Sequence, residues 1–172
     1  MAAPKDGAAI EMLCLRPAMG KRKFVEKIEV TVEQGIPGER WSISPWMRLP
    51  DGSPDPSIQI CFLQKRVLDL IWTDRENTVH PGDTFIVDMD LSERNLPKGS
   101  LLHAGGAILE VSGEFNNACP KWKKRYGEDA LQWVRAPENR VLRPRGILAK
   151  VHRGGVIALG DRLTKNDKSL RP

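Results

Sequence analysis

The stretch ILAKVHRGGVIAL, residues 147–159, carries the clearest secondary-structure signal of the chain. In its first half, apolar residues recur at every second position from Ile147 to Val151, which is the period of a half-buried β-strand. The pair Gly154-Gly155 then predicts a two-residue hairpin turn into a second strand. A strand, a tight turn and another strand favour a β fold for this part of the chain.

Short β-rich runs separated by glycine and proline continue this pattern toward the N-terminus. We predict further strands at residues 23–32, 58–63, 84–89 and 107–112, and short helices at residues 64–72 and 128–135. A closed sheet leaves no strand edge exposed, and many short strands need such closure. The sequence therefore predicts a mainly β domain, built as a closed or nearly closed β-barrel with a few short helices.

Length and composition indicate one globular domain. The 172 residues suffice for one core and are too few for two ordinary domains, and 40% of them are hydrophobic and 28% charged. We predict a flexible N-terminus at residues 1–15, a single domain at 16–163 and a disordered tail at 164–172. No apolar run approaches the roughly 18 residues of a membrane-spanning helix. Since Glu11 also interrupts the only stretch that could serve as a signal-peptide core, we expect a cytoplasmic protein without a membrane partner.

The three cysteines, Cys14, Cys61 and Cys119, are scattered, which argues against a disulfide framework and a structural zinc site. Cys119 differs from the others because the most basic stretch of the chain follows it. Residues 121–153 contain ten Lys or Arg and three Asp or Glu, a net charge of +7 against +5 for the whole chain. Cations favour the thiolate, which attacks electrophiles and binds metals. We predict Cys119 to be the reactive thiol; the alternative is a buried structural cysteine beside a solvated basic face.

Five segments, taken in order, resemble the MOSC domain, the module also found at the C-terminus of molybdenum-cofactor sulfurases. They are GIPGERW at 35–41, DMDLSERNLP at 88–97, GGAILEV at 105–111, CPKW with RYGEDA between 119 and 130, and LRPRGI at 142–147 followed by GV at 155–156 and GD at 160–161. Their order and spacing are similar to those of small stand-alone bacterial members over residues 16–163. The resemblance implies a β-barrel of the MOSC type with a single functional cysteine, which falls on Cys119.

This resemblance implies two chemistries for Cys119. It is either a sulfur carrier, which receives sulfur as a persulfide from a pyridoxal-phosphate cysteine desulfurase, or the thiolate ligand of molybdenum in molybdenum cofactor. A cysteine desulfurase or a molybdoenzyme is then the expected partner. A third activity that the family suggests is a molybdenum-cofactor-dependent reduction of N-hydroxylated compounds, for which the chain carries no motif of an electron-donor cofactor.

Polar residues within the resembling segments are candidates to bind the cofactor or another anionic small molecule. Forked guanidinium groups match a phosphate or a pterin edge, and amides offer both donor and acceptor. The candidates are Arg40, Asn95, Asn116, Lys121, Arg125, Arg143 and Arg145. If Pro144 keeps its segment extended, the two arginines beside it lie at alternate strand positions and converge on one anion.

Other readings of the same residues stay open. Asn95 is also typical of a turn, and Arg40 of a surface ion pair with Glu39 or Asp90. The whole protein could also be a non-catalytic module that binds an anion or nucleic acid in a basic groove, with a structural cysteine. A nucleic-acid partner is the less favoured of these, because one Tyr and four Phe leave few rings for base stacking.

Overall fold

The computed structural model describes residues 2–165 and consists mainly of short strands. Within these residues the ten strands are β1 (Ala8–Leu15), β2 (Lys23–Phe24), β3 (Lys27–Val30), β4 (Ile60–Gln64), β5 (Phe85–Val87), β6 (Leu101–Ala104), β7 (Ala107–Val111), β8 (Ile147–Arg153), β9 (Gly155–Ala158) and β10 (Arg162–Lys165). The α-helices are α1 (Arg40–Ile43), α2 (Lys65–Ile71), α3 (Pro120–Tyr126) and α4 (Glu128–Arg135), and two 3-10 helices span Pro56–Ile58 and Pro137–Leu142.

Seven of these strands close into a mixed barrel in the order β1, β10, β6, β7, β8, β4, β5 and back to β1. Strands β4 and β5 run parallel, with Phe62 opposite Phe85, and the other barrel pairs are antiparallel. Strand β2 extends the end of β1, while β3 and β9 form a separate two-stranded sheet. The prediction of a mainly β closed barrel with a few short helices is confirmed.

Strand β4 is buried on both faces, and this explains its uninterrupted apolar sequence. Its inward residues Ile60 and Phe62 belong to the barrel core, where Phe62 stacks on Phe85 with ring centroids 4.9 Å apart. On the outer face, Cys61 packs with Trp41 of α1, and Leu63 packs against α2. The two helices therefore cover the outside of the barrel at β4.

A fourth apolar cluster joins α3 to α4. It contains Ala118, Trp122, Leu131 and Val134, all buried. Helix α4 matches the predicted helix at 128–135, and it ends before Pro137, whose ring prevents continuation. This helix pair positions the segment that carries Cys119.

The predicted boundaries of the domain are wrong at both ends. The segment predicted as a flexible N-terminus contains β1, a barrel strand in which Ala8 and Ile10 are buried while Ala9 and Glu11 are exposed. The two-residue period of β1 is difficult to recognise in the sequence, because residues 2–9 are mostly small. The period becomes evident in the structure, where β1 pairs with β5 and β10. At the other end, Thr164 and Lys165 belong to β10, and residues 166–172 of the predicted tail lie outside the described residues.

The predicted hairpin at Gly154-Gly155 is also wrong. Strand β9 leaves β8 and pairs with β3, with Ile157 opposite Ile28. The glycines serve close backbone approach instead, because a Cβ on Gly155 would lie 2.5 Å from the carbonyl carbon of Gly106. A two-residue glycine hairpin does occur, at Gly105-Gly106, where it joins β6 to β7. The strand predicted at 23–32 is divided into β2 and β3.

Within residues 2–165, no helix has the length and apolar character needed to cross a membrane.

Gly146 should be far less tolerant of alanine than Gly160, although both have left-handed backbones (φ 83° and 86°). A Cβ at Gly146 would overlap the carbonyl oxygen of Phe62 in β4, whereas a Cβ at Gly160 meets no atom within 4 Å. We expect Gly160→Ala to lower the free energy of unfolding by about 1 kcal/mol, the cost of a left-handed alanine, and Gly146→Ala by about 3 kcal/mol, because overpacking adds to it. Urea unfolding measures both; equal losses would contradict this assignment.

Candidate functional site

Cys119 occupies the N-cap position of α3, immediately before Pro120. Its backbone is extended, and its thiol makes no capping hydrogen bond with the helix. Of the three cysteines, all of which lie within the described residues, Cys119 alone is exposed. The thiol is therefore accessible to a ligand or to another protein.

The backbone before Cys119 is held by Arg135 of α4. The guanidinium of Arg135 donates from Nε to Asn117 Oδ1 at 3.2 Å and from Nη2 to the carbonyl oxygen of Ala118 at 2.6 Å. Ala118 itself is buried in the cluster between α3 and α4. Sequence reasoning missed Arg135, since only the packing of the two helices brings it to this turn.

A buried ion pair joins the start of β8 to the start of β5 beneath α3. Arg145 Nη1 donates to Asp83 Oδ1 at 2.7 Å, with side chains 15% and 0% exposed. The Arg145 guanidinium also lies over the Trp122 ring, 4.7 Å from its centroid, and the Arg145 carbonyl accepts from Asn116 Nδ2 at 3.1 Å. The structure thus brings Arg145 and Asn116 together with the helix that begins at Cys119.

The Asp83 carboxylate also keeps the Arg145 guanidinium charged. Burial alone would lower the pKa of Arg145, but the Asp83 carboxylate outweighs it, so the pKa of the guanidinium is raised. Negative charge on the sulfurs of Cys61 and Cys119 would act in the same direction. Arg145 is therefore a permanently charged group near the exposed thiol.

Asp83 was not recognised in the sequence, where it stands in a Pro-Gly-Asp turn. It is fully buried, and its second oxygen, Oδ2, has no hydrogen-bond partner within residues 2–165. An unpaired buried carboxylate oxygen is energetically costly, and such atoms in native structures usually meet a water or a ligand. Asp83 therefore contributes a free acceptor to the surroundings of Arg145.

Arg40 and Lys121 meet at an exposed methionine. Arg40 Nη1 lies 2.9 Å and Lys121 Nζ 3.1 Å from Met19 Sδ. Glu39, which with Asp90 was one of two possible partners of Arg40, instead forms a buried pair with Arg16 Nε at 2.6 Å. Neither Arg40 nor Lys121 has a carboxylate partner in the described part of the chain. Because a thioether is a weak acceptor, both cations are available to an anion.

A cleft of about 520 Å³ opens beside these cations, between α3 and the loop that follows α2. We call it the α3 cleft. It is lined by Asp74, Asn77, Thr78, Val79, Lys121, Lys124 and Arg125. Two of the predicted ligand residues, Lys121 and Arg125, therefore face the same cleft.

Asn95 and Arg143 make their contacts elsewhere. Asn95 Nδ2 donates to the carbonyl oxygens of Lys5 and Asp90, and its Oδ1 accepts from Lys165, so both ends of the amide bind protein. Arg143 donates to the carbonyl of Leu96 at 2.6 Å. The contacts of Asn95 are those of a turn residue that ties neighbouring segments together.

The expectation that Arg143 and Arg145 converge from one extended strand is wrong. Arg143 ends the second 3-10 helix in a left-handed conformation (φ 51°), and β8 begins only at Ile147. Their guanidinium groups consequently bind different partners, the Leu96 carbonyl and the Asp83 carboxylate.

No group of three or more His, Cys, Asp or Glu residues that could hold a metal ion occurs between residues 2 and 165.

No protein-family model and no curated protein sequence matches the chain. Solved structures do match its fold. YuaD from Bacillus subtilis gives a TM-score of 0.58 at 22% sequence identity over 91% of this chain and 93% of YuaD. YiiM from Escherichia coli gives 0.59 at 18% identity over 98% of this chain and 71% of YiiM. YiiM from Geobacillus stearothermophilus gives 0.53 at 15% identity over 96% of this chain and 75% of YiiM.

The chain thus has a mixed-barrel fold. Its exposed thiol, Cys119, lies at the start of a surface helix. That fold is the one found in YuaD and YiiM, and it is MOSC-like.

Alkylation at neutral pH should modify Cys119 first. Burial raises the pKa of Cys14 to about 11, which leaves about one Cys14 in ten thousand as thiolate at neutral pH. Burial also raises the pKa of Cys61. Iodoacetamide treatment followed by peptide mapping measures the order of labelling. Earlier modification of Cys61 would show that the accessible thiol has been misassigned.

Asp83→Asn should destabilise the protein strongly, because it leaves Arg145 buried without its counter-charge. We expect the free energy of unfolding to fall by about 3 kcal/mol or more. Asp88→Asn is the matched control: Asp88 pairs with Arg66 at 2.6 Å, but their side chains are 32% and 39% exposed. That change should cost about 1 kcal/mol or less. Urea unfolding of both variants tests the difference, and similar losses would argue against a structural role for the buried pair.

Proposed function

We propose that this protein belongs to the MOSC family and that its Cys119 thiolate binds the molybdenum of molybdenum cofactor. The observation that carries the proposal is the position of Cys119, an exposed thiol two residues before Lys121. The Lys121 ammonium and the Arg40 guanidinium both contact the thioether of Met19, and neither has a carboxylate partner within residues 2–165. A soft ligand for the metal and a place for an anionic group thus occur side by side.

The residues present fit the chemical parts of such a cofactor. Its phosphate would be bound by Arg40 and Lys121 in place of the Met19 sulfur. Its pterin N–H groups require acceptors, and Asp83 Oδ2 is a buried acceptor without a partner in the described structure. When bound, the cofactor supplies two-electron redox chemistry at molybdenum.

Neighbouring groups hold the backbone around Cys119 in place. Arg135 holds the carbonyl of Ala118, and the ion pair of Arg145 with Asp83 lies against Trp122 in the first turn of α3. The backbone that carries Cys119 would therefore lose little conformational entropy on binding.

A sulfur carrier is the second candidate, and the exposure of Cys119 favours it. The thiolate would attack the terminal sulfur of a persulfide on a pyridoxal-phosphate cysteine desulfurase. A new sulfur–sulfur bond forms at Cys119, the bond within the donor persulfide breaks, and the donor cysteine leaves as a thiolate. The exchange needs no external oxidant. A molybdoenzyme is the expected acceptor of the sulfur, and a cytoplasmic location, which would suit either candidate, stays a prediction.

Metal analysis and mass spectrometry separate the two candidates. Protein produced with molybdate should contain about one molybdenum per chain, and Cys119→Ser should lose most of it, because a hydroxyl is a poor ligand for a soft-thiolate site. Cys61→Ala removes a buried thiol and should keep the metal. If the protein is a sulfur carrier instead, a cysteine desulfurase with cysteine should add the mass of one sulfur, removable by dithiothreitol and absent from Cys119→Ser. A protein that acquires neither molybdenum nor sulfur would contradict both candidates.

A further inference from the structure

The α3 cleft is positively charged on the side formed by its helix. Lys121, Lys124 and Arg125 are spaced three and four residues apart, so they lie on one face of α3. None of the three has a carboxylate partner among residues 2–165, whereas Lys123, outside the cleft lining, pairs with Glu128. Positive charge is thus neutralised beside the cleft and left free inside it.

A fourth cation, Arg22, is bound to the chain just after Val79, which lines the cleft. Arg22 is held in place by two backbone carbonyls, donating to His80 at 3.0 Å and to Pro81 at 2.9 Å. Burial lowers the pKa of Arg22, and the like charge of Arg125 lowers it further. The repulsion between these guanidinium groups would be relieved by a bound anion.

The opposite wall is polar and well anchored. Asp74 Oδ1 accepts from the backbone and side-chain nitrogens of Asn77, each at 3.1 Å. The loop is tied down by Trp72 Nε1, which donates to the Thr78 carbonyl at 2.6 Å, and by the Tyr126 hydroxyl, which donates to the Val79 carbonyl at 2.7 Å. A carboxylate and a hydroxyl on this wall would face a ligand that carries its own hydrogen-bond donors.

We infer that the α3 cleft binds a small organic phosphate, a phosphomonoester whose hydroxyl or amino groups meet Asp74 and Thr78. Lys124 and Arg125, two cations without a carboxylate partner among residues 2–165, match a dianionic phosphate better than a single carboxylate, and about 520 Å³ is within the usual range of small-molecule sites. Arg125, predicted as a cofactor ligand, would bind this ligand instead, while Arg40 and Lys121 remain with the cofactor.

Adenosine monophosphate is a suitable probe, and isothermal titration calorimetry at low salt measures its binding to the full-length protein. Lys124→Ala combined with Arg125→Ala should weaken binding about tenfold or more, through the loss of two charge-assisted contacts. The matched control combines Lys23→Ala with Lys27→Ala, two exposed lysines of β2 and β3 that remove the same charge elsewhere. The control should bind like the wild type. Lys124→Glu gives a second, single-site test should the double variant fold poorly.

Further probes define the ligand class. Adenosine, which lacks the phosphate, should not bind measurably, and Asp74→Ala should reduce the preference for adenosine monophosphate over inorganic phosphate. Equal weakening by the cleft variant and the control, or no weakening by the cleft variant and Lys124→Glu, would overturn the inference. Cys119→Ser should keep full affinity for the nucleotide. If the wild-type protein binds the nucleotide but acquires neither molybdenum nor a persulfide, the phosphate site is supported and the proposed function is contradicted. If it acquires molybdenum or a persulfide but does not bind the nucleotide, only the phosphate site is contradicted.

Discussion

The ion pair of Arg145 with Asp83 is the constraint on which the candidate site depends. It joins the segment before β8 to the segment before β5, and the Arg145 guanidinium lies on Trp122 of α3. Since Asp83 is fully buried, its charge is tolerable only because Arg145 compensates it. The pair therefore fixes α3 to the barrel, and with α3 it fixes the position of Cys119. A neutral apolar pair could fill the same space, but it would leave no free carboxylate oxygen for a ligand.

The barrel was predictable because its signals are local. Alternating or continuous apolar runs at β4, β7 and β8, and the proline that ends α4, depend only on neighbours in sequence. The errors arose where pairing over long distances decides the structure. Strand β1 becomes a strand because β5 and β10 lie on either side of it, and β9 departs from β8 because β3 offers an edge. A glycine pair signals both a turn and a close backbone approach, and its sequence does not distinguish the two.

The candidate site was only partly predictable, for a related reason. Cys119 and Lys121 lie on one short helix, so the basic segment after the cysteine led to them directly. Asp83 and Arg135 come from separate elements, and nothing in their local sequence marks them as neighbours of Cys119. The predicted convergence of Arg143 with Arg145 is wrong for a conformational reason. It required an extended backbone, whereas the backbone of Arg143 is left-handed.

Buried and exposed charges around Cys119 differ in whether they have a partner of opposite charge. Buried charges are paired, Arg16 with Glu39 and Arg145 with Asp83, as the high free energy of an isolated buried charge demands. Arg40 and Lys121, which face solvent near the thiol, by contrast meet only the thioether of Met19 within the described residues. Folding gains nothing from this arrangement, because like charges on one surface repel each other. Repulsion of this kind is typical of a surface that binds an anion. Here the repelling charges are concentrated on α3, the helix that begins after the exposed Cys119.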